Sequence, residues 1–134
     1  MKLSCLPVSY FDDIVDGRMS IAQWGAEAAS LGLDGIDLSI IFFRNGTEGD
    51  LRKTRSDIES QGQRVAVMNT YPDLTHLDSH ERERQLTKLK QDIVIASYIG
   101  AEMVRVTVGQ AHPQTSRERG ILQSASGCPV SMPE

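Results

Sequence analysis

Hydrophobic positions recur with a helical period in three segments of this chain, and a glycine follows each segment. The apolar stripe of the first segment consists of Ile21, Trp24, Ala28 and Leu31. Steps of three and four residues place these side chains on one face of a helix. Ser20 and Gln23 have the spacing of a capping box, and Gly32 suits the helix stop. The pattern predicts an amphipathic helix.

The second helical segment is richer in polar residues and runs from Glu48 to Gln61. Leu51 and Ile58 lie seven residues apart, which is about two helical turns, and Gly62 follows as the stop signal. This spacing predicts a helix with a narrow buried stripe.

The third segment gives the clearest helical pattern. Asp78 and Glu81 have capping-box spacing, and Gly100 ends the segment. The apolar stripe between them is formed by Leu86, Leu89, Ile93 and Ala96. A run of mixed charges over residues 81–90 predicts a solvated face with internal ion pairs.

A short apolar run that fits a β-strand accompanies each helix. The predicted strands are Lys2 to Leu6, Gly35 to Leu38, Arg64 to Asn69 and Met103 to Val108. Strands that alternate with helices pair in parallel, because each helix returns the chain across the sheet in a right-handed crossover. A fourth helix is expected in TSRERGI, with Thr115 or Ser116 as N-cap. The fold class is therefore α/β, built from parallel β/α units.

Two parallel architectures fit this order: an open doubly wound sheet and a closed barrel. The open sheet favours a phosphate-binding glycine fingerprint after the first strand. The segment PVSYFDD, which follows Leu6, contains neither GxGxxG nor GxxxxGK[ST]. A nucleotide-binding fold is disfavoured, and a partial TIM barrel of four strands and three to four helices is predicted.

Composition and charge narrow the possible functions. Of the 134 residues, 40% are hydrophobic and 24% are charged, as in an ordinary globular domain. The net charge of -4 provides no general attraction to nucleic acid or to an anionic membrane. No apolar run reaches the roughly 18 residues of a membrane span and no secretory signal is present, so a cytoplasmic location is expected. Cys5 and Cys128 match no metal or redox spacing, and Cys5 is expected to be buried in the first strand.

Polar residues gather toward the carboxyl ends of the predicted strands. They are Asp37, Asn69, Arg105 and Thr107. Barrel enzymes place their catalytic and substrate-binding groups at these ends. Asp37, Asn69 and Arg105 are therefore predicted to contact a substrate. The structural alternative is an Asp37–Arg105 ion pair, with Asn69 and Thr107 capping the loops that follow.

The three histidines lie in different parts of the pattern. His112 lies just beyond the fourth strand, in GQAHP, and is predicted to be a further substrate contact. His76 and His80 have the i, i+4 spacing of a metal pair, but the expected helix start at Asp78 or Ser79 divides them between a loop and a first turn. No HExxH motif is present. No residue is assigned as a metal ligand, and none is assigned as catalytic.

Four phrases of the sequence resemble one family. LGLDGIDLS, GQRVAVMNTYPDL, SHERERQLTKLKQDI and IASYIGAEMVRVTVGQAHP are similar to the first half of the xylose isomerase-like barrels called sugar phosphate isomerases/epimerases. The resemblance covers residues 1–120. The phrases are helix, glycine and strand junctions that are common in the superfamily, and none of them is a catalytic signature.

The resemblance implies a TIM barrel whose open end binds a sugar or a related polyol. It also implies proton transfer next to a carbonyl, with a divalent metal (Mn, Mg or Zn) in a complete family member. In the family, carboxylates and a histidine at the ends of later strands hold that metal. Those strands are not found in this sequence, so the chain is expected to bind no metal tightly. Asp37, Asn69, Arg105 and His112 would then supply part of the sugar pocket.

The last residues depart from the β/α pattern. A complete barrel takes ~250 residues, whereas residues 121–134 show no strand or helix period. The expected domain spans residues 1–120, as the N-terminal half of a barrel that a truncated or frame-shifted reading frame ends near Ile121. The alternative is a natural half-barrel that forms a homo-oligomer, or pairs with another half, through its open sheet edges.

The sequence is compatible with two further hypotheses. One is a non-catalytic fragment or assembly module, which predicts oligomers and no metal-dependent turnover. The other is an endonuclease IV-like, metal-dependent DNA-repair enzyme of the same superfamily fold, which would use several histidines early in the chain. With three histidines and an acidic balance, this sequence fits a small sugar-like partner better than nucleic acid.

Overall fold

Four β-strands form one parallel sheet in this computed structural model, which describes residues 1–126. In the order in which they neighbour one another, they are β1 (Ser4–Cys5), β2 (Gly35–Ser39), β3 (Val65–Thr70) and β4 (Met103–Val106). The helices are α1 (Phe11–Val15), α2 (Ile21–Ser30), α3 (Glu48–Ser60), α4 (Ser79–Ile99) and α5 (Arg117–Ser126), with short 3-10 segments at Val8–Tyr10 and Ile40–Phe43. The predicted alternation of strands and helices is confirmed, and the fold is a partial TIM-barrel-like α/β fold.

The chain divides into two compact units. The first consists of Met1–Thr70 and Asp92–Arg105, and it contains β1, β2, β3 and most of β4. The second consists of Tyr71–Gln91 and the described residues from Val106 onward, and it contains the start of α4 and all of α5. The domain boundary predicted at residue 120 stays a prediction.

Helices α2, α3 and α4 end in the same hydrogen-bonded turn. The turns place Gly32, Gly62 and Gly100 at φ values of +72°, +73° and +78°. After α2, the N–H of Gly32 donates to the carbonyl of Ala29, and the N–H of Leu33 donates to the carbonyl of Ala28. The equivalent pair of bonds follows α3 and α4. This is a Schellman motif, which glycine suits because it lacks a Cβ, and the next strand starts within three residues of each glycine.

Side-chain caps fix where the helices begin. Ser20 and Gln23 form the predicted capping box before α2, with both of its hydrogen bonds present. The Ser116 hydroxyl accepts from the N–H of Arg119 at 3.3 Å, so Ser116 caps α5. These two caps agree with the sequence prediction.

The hydrophobic core of the first unit includes side chains from the sheet and from the helices around it. Its most deeply buried members are Ala28, Ile36, Leu38, Ile58, Met68, Ala96 and Ile99. Ile36 and Leu38 are fully buried, and Asp37 lies between them in β2. Because successive side chains of a strand point to opposite faces, Asp37 lies on the face away from this core.

The face of the sheet away from the core carries the polar strand-end residues. The register pairs Asp37 with Val67 and Ser39 with Asn69, and paired residues of parallel strands point the same way. The pairing shifts by one residue between Ile36 and Asp37. With this shifted register, Asp37 and Asn69 come to lie on one face of neighbouring strands.

The buried face of α4 differs from the predicted stripe. Ile93 is 46% exposed, whereas the positions of α4 that are buried are Leu89, Asp92, Ala96 and Ile99. From Leu89 a three-residue step leads to Asp92 and a four-residue step leads to Ile93, and the structure buries Asp92. Because Asp92 is polar, a search for periodic apolar residues does not identify its position as buried, and it selects Ile93 instead.

The ends of the sheet and of the chain also differ from the prediction. Cys5 is exposed rather than buried, because the two-residue strand β1 lies at the edge of the sheet. Residues 121–126 belong to α5, although an irregular segment was predicted from residue 121. No proline or glycine occurs in those six residues, so the capped helix can continue. Residues 127–134, including Cys128, lie outside the described residues.

None of the helices within residues 1–126 combines the length and the apolar content that crossing a membrane requires.

Candidate functional site

Asn69 joins three neighbouring strands in the first unit. Its side chain is buried, and its Nδ2 donates to the Leu38 carbonyl of β2 at 3.2 Å. Its Oδ1 accepts from the guanidinium of Arg105 in β4 at 3.3 Å. The Thr70 hydroxyl beside it donates to the Arg105 carbonyl at 2.9 Å. The structure thus brings two of the four predicted site residues, Asn69 and Arg105, into contact.

Asp37 lies on the same face of the sheet as Asn69, but one of its carboxylate oxygens has no hydrogen bond to the described residues. Its Oδ1 is buried, and within residues 1–126 this atom has no hydrogen-bond partner. The ion pairs of the described chain do not include Asp37 with Arg105, so the structural alternative of such a pair is not supported. Buried polar atoms are nearly always paired, and an exception is a candidate for contact with a ligand.

His112, the fourth predicted residue, lies in the second unit and pairs with an aspartate. Its Nε2 is 3.0 Å from Oδ2 of Asp73, and the two side chains are 21% and 18% exposed. The other carboxylate oxygen accepts from the Thr75 N–H at 3.2 Å and from the Thr75 hydroxyl at 2.9 Å. The Thr75 hydroxyl also lies 2.8 Å from the Gln110 carbonyl. This network ties the segment after β3 to the segment after β4.

The contacts of Asp73 keep its carboxyl group ionised. Burial raises its pKa, but the hydrogen bonds from the Thr75 hydroxyl and N–H, together with the charge and hydrogen bond of His112, outweigh burial. The net effect is a pKa below the ordinary value of 3.8. At neutral pH Asp73 can therefore only accept hydrogen bonds.

Gly109 allows the two segments to pack closely. Its φ is +145°, and a Cβ at this position would lie 2.6 Å from Oδ1 of Asp73 and would overlap the Thr75 hydroxyl. Any other residue would push the two segments apart.

A cavity of about 550 Å³ lies beside the pair, inside the second unit. Its walls are residues 108–112 and 115–117, the side chain of Thr75, and Gly120 and Ile121 of α5. The Thr115 hydroxyl oxygen in its wall is buried, and it has no hydrogen-bond partner in the part of the chain that the structure describes. This volume lies in the range of small-molecule sites, which span ~300–1,000 Å³.

The remaining histidines do not add a metal site. His76 packs edge-on against His112 with ring centroids 5.4 Å apart, and its Nδ1 accepts from the Asp78 N–H at 3.2 Å. His80 lies in the first turn of α4. Over residues 1–126, no three His, Cys, Asp or Glu side chains are arranged to hold a metal ion. The described residues therefore do not fit the family's metal by themselves, and no chemical step through a metal is assigned to them.

Asp73 and Thr75 are site residues that the sequence analysis missed. The available signal was the phrase YPDLT, in which an aspartate after a strand precedes a threonine by two residues. This is the spacing of a turn closed by an aspartate side chain, which the structure contains.

A sequence profile of the xylose isomerase-like TIM barrel family matches residues 26–128, well over half of the chain. The chain belongs to this family. The family assignment made from the four sequence phrases is confirmed. No curated protein sequence matches the chain significantly.

Solved structures of this fold superpose on most of the chain. A D-psicose 3-epimerase determined with D-fructose has a TM-score of 0.79 at 13% identity, over 95% of this chain and 46% of that one. A D-psicose 3-epimerase from Clostridium cellulolyticum H10 with D-tagatose has a TM-score of 0.77 at 9% identity, over 95% and 46%. A probable 3-DHS dehydratase from Bacillus anthracis has a TM-score of 0.69 at 16% identity, over 94% and 45%. The chain spans less than half the length of these proteins, and identities this low establish the fold alone.

Proposed function

We propose that this chain supplies part of the substrate pocket of a sugar isomerase or epimerase, which moves a proton next to a carbonyl carbon. One observation carries the proposal: the buried Oδ1 of Asp37 has no partner among the described residues. It lies on the face of the sheet away from the core, and the family's barrels bind ligands at the carboxyl ends of their strands. The proposed substrate is a sugar or polyol.

The polar groups of this face suit such a ligand. A carboxylate only accepts hydrogen bonds, and a sugar hydroxyl can donate one, so Asp37 is the proposed hydroxyl contact. The guanidinium of Arg105, which already donates to Asn69, has further N–H groups for a carbonyl or hydroxyl oxygen. Asn69 holds Arg105 in place and presents its amide on the same face. In the second unit, His112 is proposed as an additional contact.

Metal-dependent chemistry is not assigned to this chain alone. We propose that the chain binds Mn²⁺, Mg²⁺ and Zn²⁺ only weakly and that the isolated protein does not turn over sugars. The groups that complete the reaction would come from outside the described residues. A cytoplasmic location is part of the same proposal.

Assembly is the alternative function that a specific feature favours. β1 and β4 are the outer strands of the described sheet. Leu3, which precedes β1, is 51% exposed, and Met103, the first residue of β4, is 59% exposed. Unpaired strand edges with apolar neighbours tend to associate. Light scattering after size exclusion would give the molar mass, and a monomer at high concentration would contradict the assembly hypothesis.

The test of the sugar-binding proposal is a titration with D-fructose and D-tagatose, followed by backbone amide chemical shifts. We expect shifts around Asp37 in the wild type, with affinity about tenfold lower or worse in Asp37→Ala, because a hydrogen bond to a charged group contributes ~1.5–3 kcal/mol. The matched control is Asp57→Ala, which removes an exposed carboxylate of α3 that pairs with Lys53. Equal affinity in the two variants would refute the role of Asp37.

A coupled turnover assay with added Mn²⁺ or Mg²⁺ completes the test. We expect no activity from the isolated 134-residue protein. Turnover would show that the chain holds a complete catalytic set, contrary to the proposal.

A further inference from the structure

The pair formed by Asp73 and His112 uses only one of the two imidazole nitrogens of His112. Nε2 of His112 is engaged by Asp73, while Nδ1 makes no hydrogen bond among residues 1–126. His112 lines the cavity of the second unit, together with Thr75 and Thr115.

The geometry points to a positioning role for Asp73: it holds the hydrogen of His112 on Nε2, so that Nδ1 accepts a hydrogen bond from a hydroxyl group of a polyhydroxylated ligand in the cavity. The class of ligand rests on the proposed function. The orientation of the imidazole does not, since it follows from contacts within the second unit.

The charge state of Asp73 determines where that hydrogen lies. Asp73 is ionised at neutral pH and has no hydrogen to donate. A hydrogen bond across the 3.0 Å between Oδ2 and Nε2 therefore requires the hydrogen on Nε2. In a neutral imidazole the other nitrogen, Nδ1, is then an acceptor. The groups that face His112 are Asp73 and the ring of His76, and Arg117 lines the same cavity.

Asp73 is itself held in place. The N–H and hydroxyl of Thr75 fix Oδ1, which leaves Oδ2 directed at His112. Gly109 lets the two segments approach closely enough for this contact. A carboxylate locked by its own hydrogen bonds orients a neighbouring imidazole more narrowly than a free one does.

The cavity offers a second unsatisfied group beside the imidazole. The Thr115 hydroxyl oxygen is buried, and within residues 1–126 it has no partner, so it can accept from or donate to a ligand hydroxyl. Val108 and Ile121 give the same cavity apolar wall. A sugar or polyol has both a carbon chain for such a wall and hydroxyls for Nδ1 and Thr115.

The first experiment is imidazole ¹H–¹⁵N NMR of protein labelled at its histidines, at a pH where His112 is neutral. We expect a proton on Nε2 of His112 that exchanges slowly with water, and an unprotonated Nδ1. Asp73→Ala should abolish that slow exchange. Thr75→Val is the matched control: it removes the other side-chain bond of Asp73 but leaves the Nε2 contact, so the signal should persist.

The same spectra separate positioning from a merely structural role. If Asp73 only braces the segment through Thr75, then Thr75→Val and Asp73→Ala should change the His112 signal alike, and the inference is wrong. A proton on Nδ1 in the wild type would also overturn it. Should Asp73→Ala unfold, Asp73→Asn keeps an acceptor oxygen but loses the charge, and we expect the Nε2 proton to remain with faster exchange.

A second experiment adds ligands to the same labelled protein: D-fructose, and glycerol as a minimal polyol. We expect the Nδ1 resonance of His112 to shift on addition of D-fructose in the wild type and to shift several-fold less in Asp73→Ala. No Nδ1 shift with either compound overturns the ligand part of the inference. A response around Asp37 without one at His112 leaves the proposed function standing alone, whereas a response at His112 alone removes the main support of the proposed function.

Discussion

Replacing Asp37 with alanine should stabilise the protein, although Asp37 lies in β2 between the buried residues Ile36 and Leu38. Its Oδ1 is buried without a partner among the described residues, and such a group costs ~1–3 kcal/mol. One oxygen is affected and the side chain is partly exposed, so the lower end of that range applies. We expect Asp37→Ala to raise the free energy of unfolding by about 1 kcal/mol.

Asn69 provides the opposite case on the same face of the sheet. Its amide donates to the Leu38 carbonyl and accepts from Arg105, so Asn69→Ala removes two hydrogen bonds, one of them to a charged group. We expect this variant to lower the free energy of unfolding by about 1–3 kcal/mol. The two alanine variants should therefore differ by about 2–4 kcal/mol in opposite directions from the wild type.

Urea unfolding at neutral pH, followed by far-ultraviolet circular dichroism, measures both values. With a typical slope of ~1–3 kcal/mol per molar urea, a change of about 1 kcal/mol moves the midpoint by roughly 0.3–1 M. A loss of stability in Asp37→Ala comparable to that in Asn69→Ala would refute the reasoning, because it would mean that Asp37 makes stabilising contacts. A gain of stability with lost sugar binding is the pattern of a functional residue.

Three further predictions concern the second unit and metals. Thr75→Val should raise the pKa of Asp73, because it removes the hydroxyl hydrogen bond that lowers this pKa the most; carboxyl ¹³C NMR measures the pKa, and an unchanged or lower value would contradict the prediction. Since the folded pKa lies below the unfolded one, these bonds stabilise the fold at neutral pH, and the effect is lost as pH falls below about 4. Gly109→Ala should lower the free energy of unfolding by about 1–3 kcal/mol and abolish the slow exchange of the His112 Nε2 proton. Gly120 has open space around it, so Gly120→Ala should leave the free energy of unfolding unchanged or raise it by up to about 1 kcal/mol. Calorimetric titration with Mn²⁺, Mg²⁺ and Zn²⁺ should reveal no submicromolar site, and finding one would overturn the ligand assignment.

The parts of the fold that depend on neighbours in sequence could be predicted from the sequence. The Schellman glycines and the Ser20 cap act within six residues, and strand alternation was enough to place Asp37 beside the core positions Ile36 and Leu38. The contact of Asn69 with Arg105 follows once β3 and β4 are taken as neighbours.

The features that depend on the path of loops, or on a polar residue in a buried position, could not be predicted from the sequence. Asp73 and His112 are 39 residues apart, and their contact requires the backbone path of two loops that no periodicity encodes. Ile93 was placed in the core of α4 because Asp92, the residue that is buried there, is charged. The predicted α5 was too short, because a helix of ten residues contains too few apolar positions to show a clear helical period in the sequence.

The recurring turn after α2, α3 and α4 gives the three helix-to-strand junctions of this protein the same backbone geometry. Each β/α unit leaves its helix through the same backbone geometry and enters the next strand after the same short spacing. A unit could therefore be duplicated, deleted or replaced by one from a relative without redesign of the joint. Such a chain can evolve in whole units, and chimaeric proteins joined at Gly32, Gly62 or Gly100 would show that modularity most directly.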